Sequence, residues 1–253
     1  EATPSAAVPE GADFVSQARW IHDYLVAASP SGPAGMDPAR YDAHRNYIRE
    51  RMERYRKEFI EPFMAFMAGK RPAVTPGTVV YPFGGSDFAT AIATFPDAIE
   101  ITTISLEGAG DPRQLPVAPE WSRSAAFAEF RAVLGSFLSM YDNTNENVRA
   151  SEKGLVPGQL SLSIAEAGLF GYAPVSLRFF RIEPDGSLHY YDAADIDKLK
   201  DTRGERLHLA WEVPGYSTVF RNMEIVNRRD DRGTIKTLVH RHVAANLHDS
   251  RYT

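Results

Sequence analysis

The chain has 253 residues, a net charge of -5 and 43% hydrophobic residues, which is the composition of a globular protein with a substantial core. The negative charge argues against a nucleic-acid partner, because phosphate binding depends on clustered Lys and Arg. The absence of cysteine excludes disulfides, thiolate nucleophiles and Cys-ligated metal sites. We therefore expect a small molecule or another protein as the partner.

The start of the chain predicts a flexible tether and an exported protein. Residues 1–11, EATPSAAVPEG, are rich in Ala, Pro and Ser, a composition that often follows a removed signal peptide or lipid anchor. No apolar run approaches the roughly 18 residues of a membrane span, so we expect no transmembrane segment. The expected localisation is periplasmic or extracellular, and a boundary inside a cytosolic protein is the alternative.

Helical periodicity predicts a helical extension over residues 12–72, packed on the main domain. Apolar residues recur at helical spacing in residues 12–28 and again in residues 37–60. Pro62 then suits the first turn of a further short helix. The arginines of the second helix have two interpretations, an anion or membrane surface and a solvated face that pairs with neighbouring glutamates. Helical spacing favours the paired face.

The pattern changes at residue 73, where we expect an α/β domain to begin and to continue to residue 253. The stretch TVVYPFGGSDFATAIATFPDAIEITTISLEG predicts a strand, a glycine turn, a helix and a second, parallel strand. Helices are expected over residues 119–141 and 157–171, although the LSLSI part of the second segment alternates like a strand.

The last third of the chain predicts antiparallel strands. VSLRFFRIE, PDG and SLHYYD have the pattern of a hairpin, and RLHLAWEV, TVFRNMEIV and TIKTLVHRHV predict further strands. The fold prediction is therefore α/β, with a Rossmann-like three-layer mixed sheet. A parallel βαβ unit opens the sheet, antiparallel strands end it, and the N-terminal helices pack against it.

The glycine turn after the first strand is the predicted ligand site. A helix that begins directly after such a turn exposes unpaired N–H groups that bind anions. Ser86 is the expected N-cap residue, whereas the carboxylate of Asp87 already lies in the favourable field and argues against phosphate. The predicted ligand-binding residues are Tyr81, Gly84, Gly85, Ser86, Asp87 and Glu107.

Two other interpretations of this turn remain open. In the first, Gly84 and Gly85 only let the helix and strand approach closely, and Tyr81 belongs to the core. In the second, Ser86 is the nucleophile of a hydrolase with Asp87 and a distant histidine. The segment GGSDF lacks the glycine that follows the serine in a nucleophile elbow.

The βαβ stretch resembles a degenerate Rossmann-like unit of nucleotide-binding enzymes and class I methyltransferases. In those families an acid at the end of the second strand binds the ribose, and the resemblance gives that position to Glu107. Here GGSDF replaces the G-x-G-x-x-G motif. The segments YPFGGSDF, FPDA and SLEG also resemble a family of exported bacterial proteins of unstated function, which implies export and an α/β fold.

Two segments suggest metal binding. His240 and His242 lie two apart on a predicted strand, so they share a face and suit a divalent metal. Solvent-facing histidines are the alternative. Further candidate ligands are His189, His208, His248 and Asp249. The segment DNTNEN, residues 142–147, is rich in oxygen ligands but lacks the glycine and glutamate of a calcium loop.

The sequence as a whole predicts a ligand-binding or non-catalytic interaction role with a site at the Gly84–Gly85 turn. No cofactor is expected apart from a divalent metal at His240 and His242. The alternative is a metal-dependent or serine hydrolase-type enzyme.

Overall fold

The structure is a computed structural model that describes residues 11–71, 77–82, 87–105, 108–113, 115–138, 155–197 and 222–241. Residues 136, 137, 240 and 241 are described by their backbone alone. The helices are α1 (Val15–Trp20), α2 (Pro38–Tyr55), α3 (Glu61–Ala68), α4 (Phe88–Thr94), α5 (Glu120–Phe137), α6 (Gly158–Leu169) and α7 (Ala193–Asp197). The strands are β1 (Thr78–Tyr81), β2 (Glu100–Ser105), β3 (Ala173–Ile182), β4 (Leu188–Tyr190), β5 (Asn222–Arg229) and β6 (Gly233–Arg241).

The N-terminal helices form where the periodicity predicts them. Asp37 begins α2 by accepting a hydrogen bond from the Ala39 N–H at 3.0 Å, and proline occupies the first turn. At its other end α2 passes through a π-helical turn, Arg56–Ile60, directly into α3. The expected short third helix is therefore a continuation of α2, because the junction residues keep right-handed helical geometry.

The six strands within the described residues form one mixed sheet in the order β1-β2-β6-β5-β3-β4. Strands β1 and β2 are parallel and are connected through α4, which confirms the predicted βαβ unit. The remaining pairs are antiparallel except that β6 lies parallel to β2. The last strand therefore does not simply extend the sheet but lies in its interior, between the parallel unit and the antiparallel part.

One face of the sheet carries the core. It packs against α1, α2, α5 and α6 through a cluster that includes Leu177, Phe179, Met223, Ile225 and Val239. Helix α4 packs on the same face at Ile101 and Ile235. On the opposite face, Val80 is 66% exposed, whereas Glu224 is buried.

The mixed α/β sheet with N-terminal helices confirms the predicted fold class. The helices that the structure describes in contact with the sheet lie on its core face. Residues 198–221 and 242–253 lie outside the described ranges, and so do the strand predicted at RLHLAWEV and the first half of TVFRNMEIV. A third layer on the opposite face stays a prediction.

Helix α6 settles the ambiguity of LSLSI in favour of a helix. Its residues 158–167 are all buried, so the helix is enclosed on every side rather than on one stripe. A helix in this position needs small or apolar residues all round, and alternating Leu and Ser meet that need without forming a strand. The expected helix over residues 119–141 is also present, as α5.

The loop after β2 holds the start of α6 close to the sheet. Gly110 has a φ of +92°, and a Cβ at this position would lie 2.8 Å from the Gly158 nitrogen. The Leu160 N–H also donates to the Ala109 carbonyl at 2.9 Å. Only glycine fits this contact, which brings α6 beside α4.

Candidate functional site

The candidate site lies at the start of α4, beyond the C-terminal end of β1. In an open α/β sheet this edge is where loops and helix starts converge around ligands. Helix α6 runs beside α4 and contributes the side chain of Glu166. Tyr55, at the end of α2, lies close enough to Glu166 and Asp87 for their charges to raise the pKa of its hydroxyl. We call Tyr55, Asp87 and Glu166 the acidic junction.

Glu166 occupies the N-terminus of α4. Its side chain is 2% exposed, and Oε2 accepts a hydrogen bond from the Ala89 N–H at 2.7 Å. The Phe88 N–H adds a second backbone interaction with the same carboxyl group. These are the donors that a helix start leaves without an intrahelical partner, so a side chain of the protein takes the position that a bound anion would occupy.

Both acids of the junction are shifted towards their neutral forms. Burial raises the pKa of Glu166 well above its usual value, the N–H groups of Ala89 and Phe88 oppose this shift, and the charge of Asp87 adds to it. Burial also raises the pKa of Asp87. Among the described residues, nothing donates a hydrogen bond to the second oxygen of Glu166, Oε1, which is also buried. The junction thus retains one buried polar atom with unused capacity.

Tyr55 completes the acidic junction from the helical layer. It is buried in a small cluster with Ile60 and Ala89. Burial raises the pKa of its hydroxyl, and the charges of Glu166 and Asp87 raise it further. Three acidic groups from α2, α4 and α6 therefore approach one another, an arrangement that favours bound protons or a ligand carrying hydrogen-bond donors.

Tyr81 has a structural contact at this edge. The Thr90 hydroxyl donates to the Asp87 carbonyl at 2.7 Å, so the Tyr81 hydroxyl is the donor in its 3.0 Å contact with Thr90 Oγ1. Asp87 precedes α4 but makes no capping hydrogen bond through its side chain, and Glu166 makes that contact instead. Gly84, Gly85, Ser86 and Glu107 lie outside the described residues, so their roles stay predictions.

The predicted metal site is only partly within the described chain. The backbone of His240 pairs with Ile104 in the sheet, whereas its side chain and His242 lie outside the described positions. His189 is on β4, three strand spacings or about 14 Å from β6, so the sheet order keeps it away from this site. The described side chains contain no group of three or more His, Asp or Glu able to hold a metal. The other metal candidates, His208, His248, Asp249 and residues 142–147, lie outside the described ranges.

The arginine-rich part of α2 pairs with its own glutamates. Arg54 contacts Glu58 at 3.0 Å, and Arg56 and Lys57 contact Glu53 at 2.8 and 3.0 Å. The predicted self-paired face is therefore confirmed for the second half of this helix. None of the described helices combines the length and the apolar character needed to cross a membrane.

Sequence reasoning missed Glu166 as a site residue. The signal was present, since Glu166 is the one charged residue within GQLSLSIAEAGL, and a lone acid in an apolar helix needs a specific partner when it is buried. What the sequence lacked was the identity of that partner, the start of α4.

Comparisons of the chain with protein-family models, with curated proteins and with solved structures found no match. The resemblances described above therefore stay predictions.

Proposed function

We propose that this protein binds a small molecule at the acidic junction, and that the ligand presents a hydrogen-bond donor or a positive charge to Glu166 and Asp87. The observation that carries the proposal is the buried Oε1 atom of Glu166, which has no donor among the described residues. The role is binding rather than catalysis.

The chemistry of the ligand follows from the groups around it. A buried acceptor without a partner costs about 1–3 kcal/mol, and native structures rarely leave one without a water, ion or ligand. Burial favours the neutral form of Glu166, and a bound cation offsets this by favouring the carboxylate, which accepts hydrogen bonds only. An amine or amidine of the ligand is therefore its complement. A phosphate would compete with Glu166 for the N–H groups of α4 and would also meet the charge of Asp87. The nucleotide that the Rossmann-like resemblance would imply is therefore disfavoured.

We also propose that the protein acts after export. The support is the Ala, Pro and Ser composition of residues 1–11. A metal-dependent enzyme with His240 and His242, or a hydrolase with Ser86, remains the alternative, and it depends on side chains outside the described ranges.

A thermal shift screen with two matched panels tests the ligand class. Putrescine, agmatine and benzamidine form the cationic panel, and inorganic phosphate and AMP form the anionic panel. We expect a cationic probe to raise the melting temperature with saturation, because binding only to the folded state stabilises by about 2.7 kcal/mol at a hundredfold excess over Kd. Glu166→Gln and Asp87→Asn should lose this response.

Asp97→Asn is the control for charge. Asp97 is exposed at the opposite end of α4, so its replacement removes one negative charge and leaves the acidic junction unchanged. Retention of the response in this variant supports a specific site. A response to phosphate or AMP alone, undiminished in Glu166→Gln, would contradict the proposal and favour the anion site at the glycine turn.

A further inference from the structure

A second concave site lies between α2 and α5, on a different part of the helical layer from the acidic junction. Its volume is about 270 Å³, close to the lower end of small-molecule sites, which begin at about 300 Å³. The lining residues are Met36, Arg40, Ala43, Tyr47, Ser124, Phe127 and Arg131. We call this cavity the arginine groove, after Arg40 and Arg131. None of the described residues that line it is acidic.

Arg131 is held in place by a buried neutral histidine. His44 Nε2 lies 2.8 Å from the Leu25 carbonyl, so this nitrogen carries the proton and Nδ1 is an acceptor. Arg131 Nη1 donates to Nδ1 at 3.4 Å. Burial lowers the pKa of His44 to about 4, so the imidazole is neutral at physiological pH. The interaction orients the guanidinium, and a neutral imidazole does not offset its positive charge.

Aromatic contacts make the base of the groove rigid. The Phe127 ring stacks on His44 with centroids 4.3 Å apart and planes inclined by 11°. The Tyr47 hydroxyl donates to the Arg131 carbonyl at 3.3 Å and so connects α2 to α5. Phe127 is also buried within the main core cluster. The apolar part of the lining is therefore fixed before any ligand enters.

The two arginines of the groove differ from those in the second half of α2. Arg54 and Arg56 form ion pairs with glutamates on the same helix. Within the part of the chain that the structure describes, Arg40 and Arg131 form no ion pair. A guanidinium offers five N–H donors in a planar fork that matches carboxylate and phosphate oxygens. Two such groups on an apolar cavity favour an anion.

We propose that the arginine groove binds a small organic anion, a carboxylate or a phosphate monoester with an apolar or aromatic body. The charged group of the ligand contacts Arg131 and Arg40, and its body packs on Phe127 and Met36. This site has the opposite charge preference to the acidic junction, so the two proposals stand independently.

Calorimetric titration with four probes of similar size tests the proposal. Benzoate and phenyl phosphate carry the anionic group, benzamide is the neutral analogue, and benzylamine is the cationic one. We expect saturable binding of benzoate or phenyl phosphate and none of the other two. Binding of benzoate alone assigns a carboxylate site, and binding of phenyl phosphate alone assigns a phosphate-ester site. Equal binding of benzamide would overturn the proposal.

Variants of the two arginines test whether the anion binds in the arginine groove. Arg131→Gln and Arg40→Gln should each raise the Kd roughly tenfold or more, because a hydrogen bond to a charged group contributes over 1 kcal/mol. Arg40 is exposed, so Arg40→Gln leaves the fold intact and decides the question even where Arg131→Gln unfolds. Arg54→Gln is the matched control, since it removes one charge of α2 that is paired with Glu58. A Kd unchanged in Arg40→Gln, or no saturable binding of either anion by the unmodified protein, would overturn the proposal.

Discussion

Glu166 in the acidic junction and His44 beneath the arginine groove are both buried ionisable side chains, and burial favours the neutral form of each. It raises the pKa of Glu166 and lowers that of His44 to about 4. The difference lies in their hydrogen bonds. Both ring nitrogens of His44 have partners, whereas one oxygen of Glu166 has none among the described residues. A perturbed pKa alone therefore does not identify a binding group, and unused hydrogen-bonding capacity is the better criterion.

The same comparison separates positioning from binding. His44 acts on Arg131 by orienting it, and any ligand of the groove would contact the arginine rather than the imidazole. Glu166 combines both roles, because Oε2 caps α4 while Oε1 remains available. Variants at three residues test these assignments, beginning with the largest expected effect.

Removing the stacked ring beneath the groove should cost the most stability. Phe127→Ala deletes a buried aromatic side chain that contacts His44, and such changes typically destabilise by about 3–5 kcal/mol. Urea denaturation measures this loss. Trp121→Ala on the same helix is the control, since Trp121 is 74% exposed and its loss should change stability little. Similar effects in the two variants would mean that Phe127 is not packed on His44.

Replacing His44 should make the free energy of unfolding less sensitive to acid pH. The folded pKa of about 4 lies below the unfolded value of about 6.5, so the unfolded chain binds a proton first as the pH falls. The stability is complete above pH 6.5 and falls by about 3 kcal/mol towards pH 4, at about 1.4 kcal/mol per pKa unit. Urea denaturation across this window should show a flatter profile for His44→Gln. An unchanged slope would show that the pKa of His44 is the same in the folded and the unfolded protein.

Glu166 should make stability depend on pH in the opposite direction to His44, and Glu166→Gln tests this. The folded pKa of Glu166 is raised, so its contribution is complete below the unfolded value of about 4.3 and is lost as the pH rises. Relative to the unmodified protein, the glutamine variant should gain stability as the pH rises above about 4.3, because it does not titrate and its amide oxygen still accepts from Ala89. The N–H groups of α4 oppose the shift and so limit the effect.

Glu166→Ala separates the capping role from the titration. Relative to Glu166→Gln, which keeps an acceptor and does not titrate, it removes the acceptor for the Ala89 N–H and should cost about 1–3 kcal/mol at every pH. The same denaturation series measures this cost. A pH profile of Glu166→Gln that parallels the unmodified protein would indicate that Glu166 titrates normally and is not the buried acid described here.

Much of the fold was predictable because its signals are local. The change from helical spacing to an apolar run after residue 73 indicated the βαβ unit, and the PDG turn indicated the β3–β4 hairpin. The place of β6 was not predictable, because a strand pattern specifies which residues face the core but not which neighbour pairs with it. Its parallel contact with β2 joins residues from distant parts of the chain.

The sequence indicated the region of the candidate site but not the groups that form it. The sequence indicated the start of α4 and named Asp87, and it favoured a glycine turn with free N–H groups. The N–H of Ala89 is instead occupied by Glu166, a residue 77 positions away. Sequence spacing gives no information on a contact of this range, so the change from an expected anion site to a site for donors required the structure.

The sequence by itself determined the type and the order of the described elements, the composition of the chain and the pairing of charges within α2, since these depend on neighbours a few residues apart. Only the tertiary structure decided which charges remain without a partner. Helix packing brings Glu166 to α4 and Arg131 to His44, across separations of 77 and 87 residues. Burial in these contacts then sets protonation, because desolvation depends on the surrounding atoms and not on the order of residues.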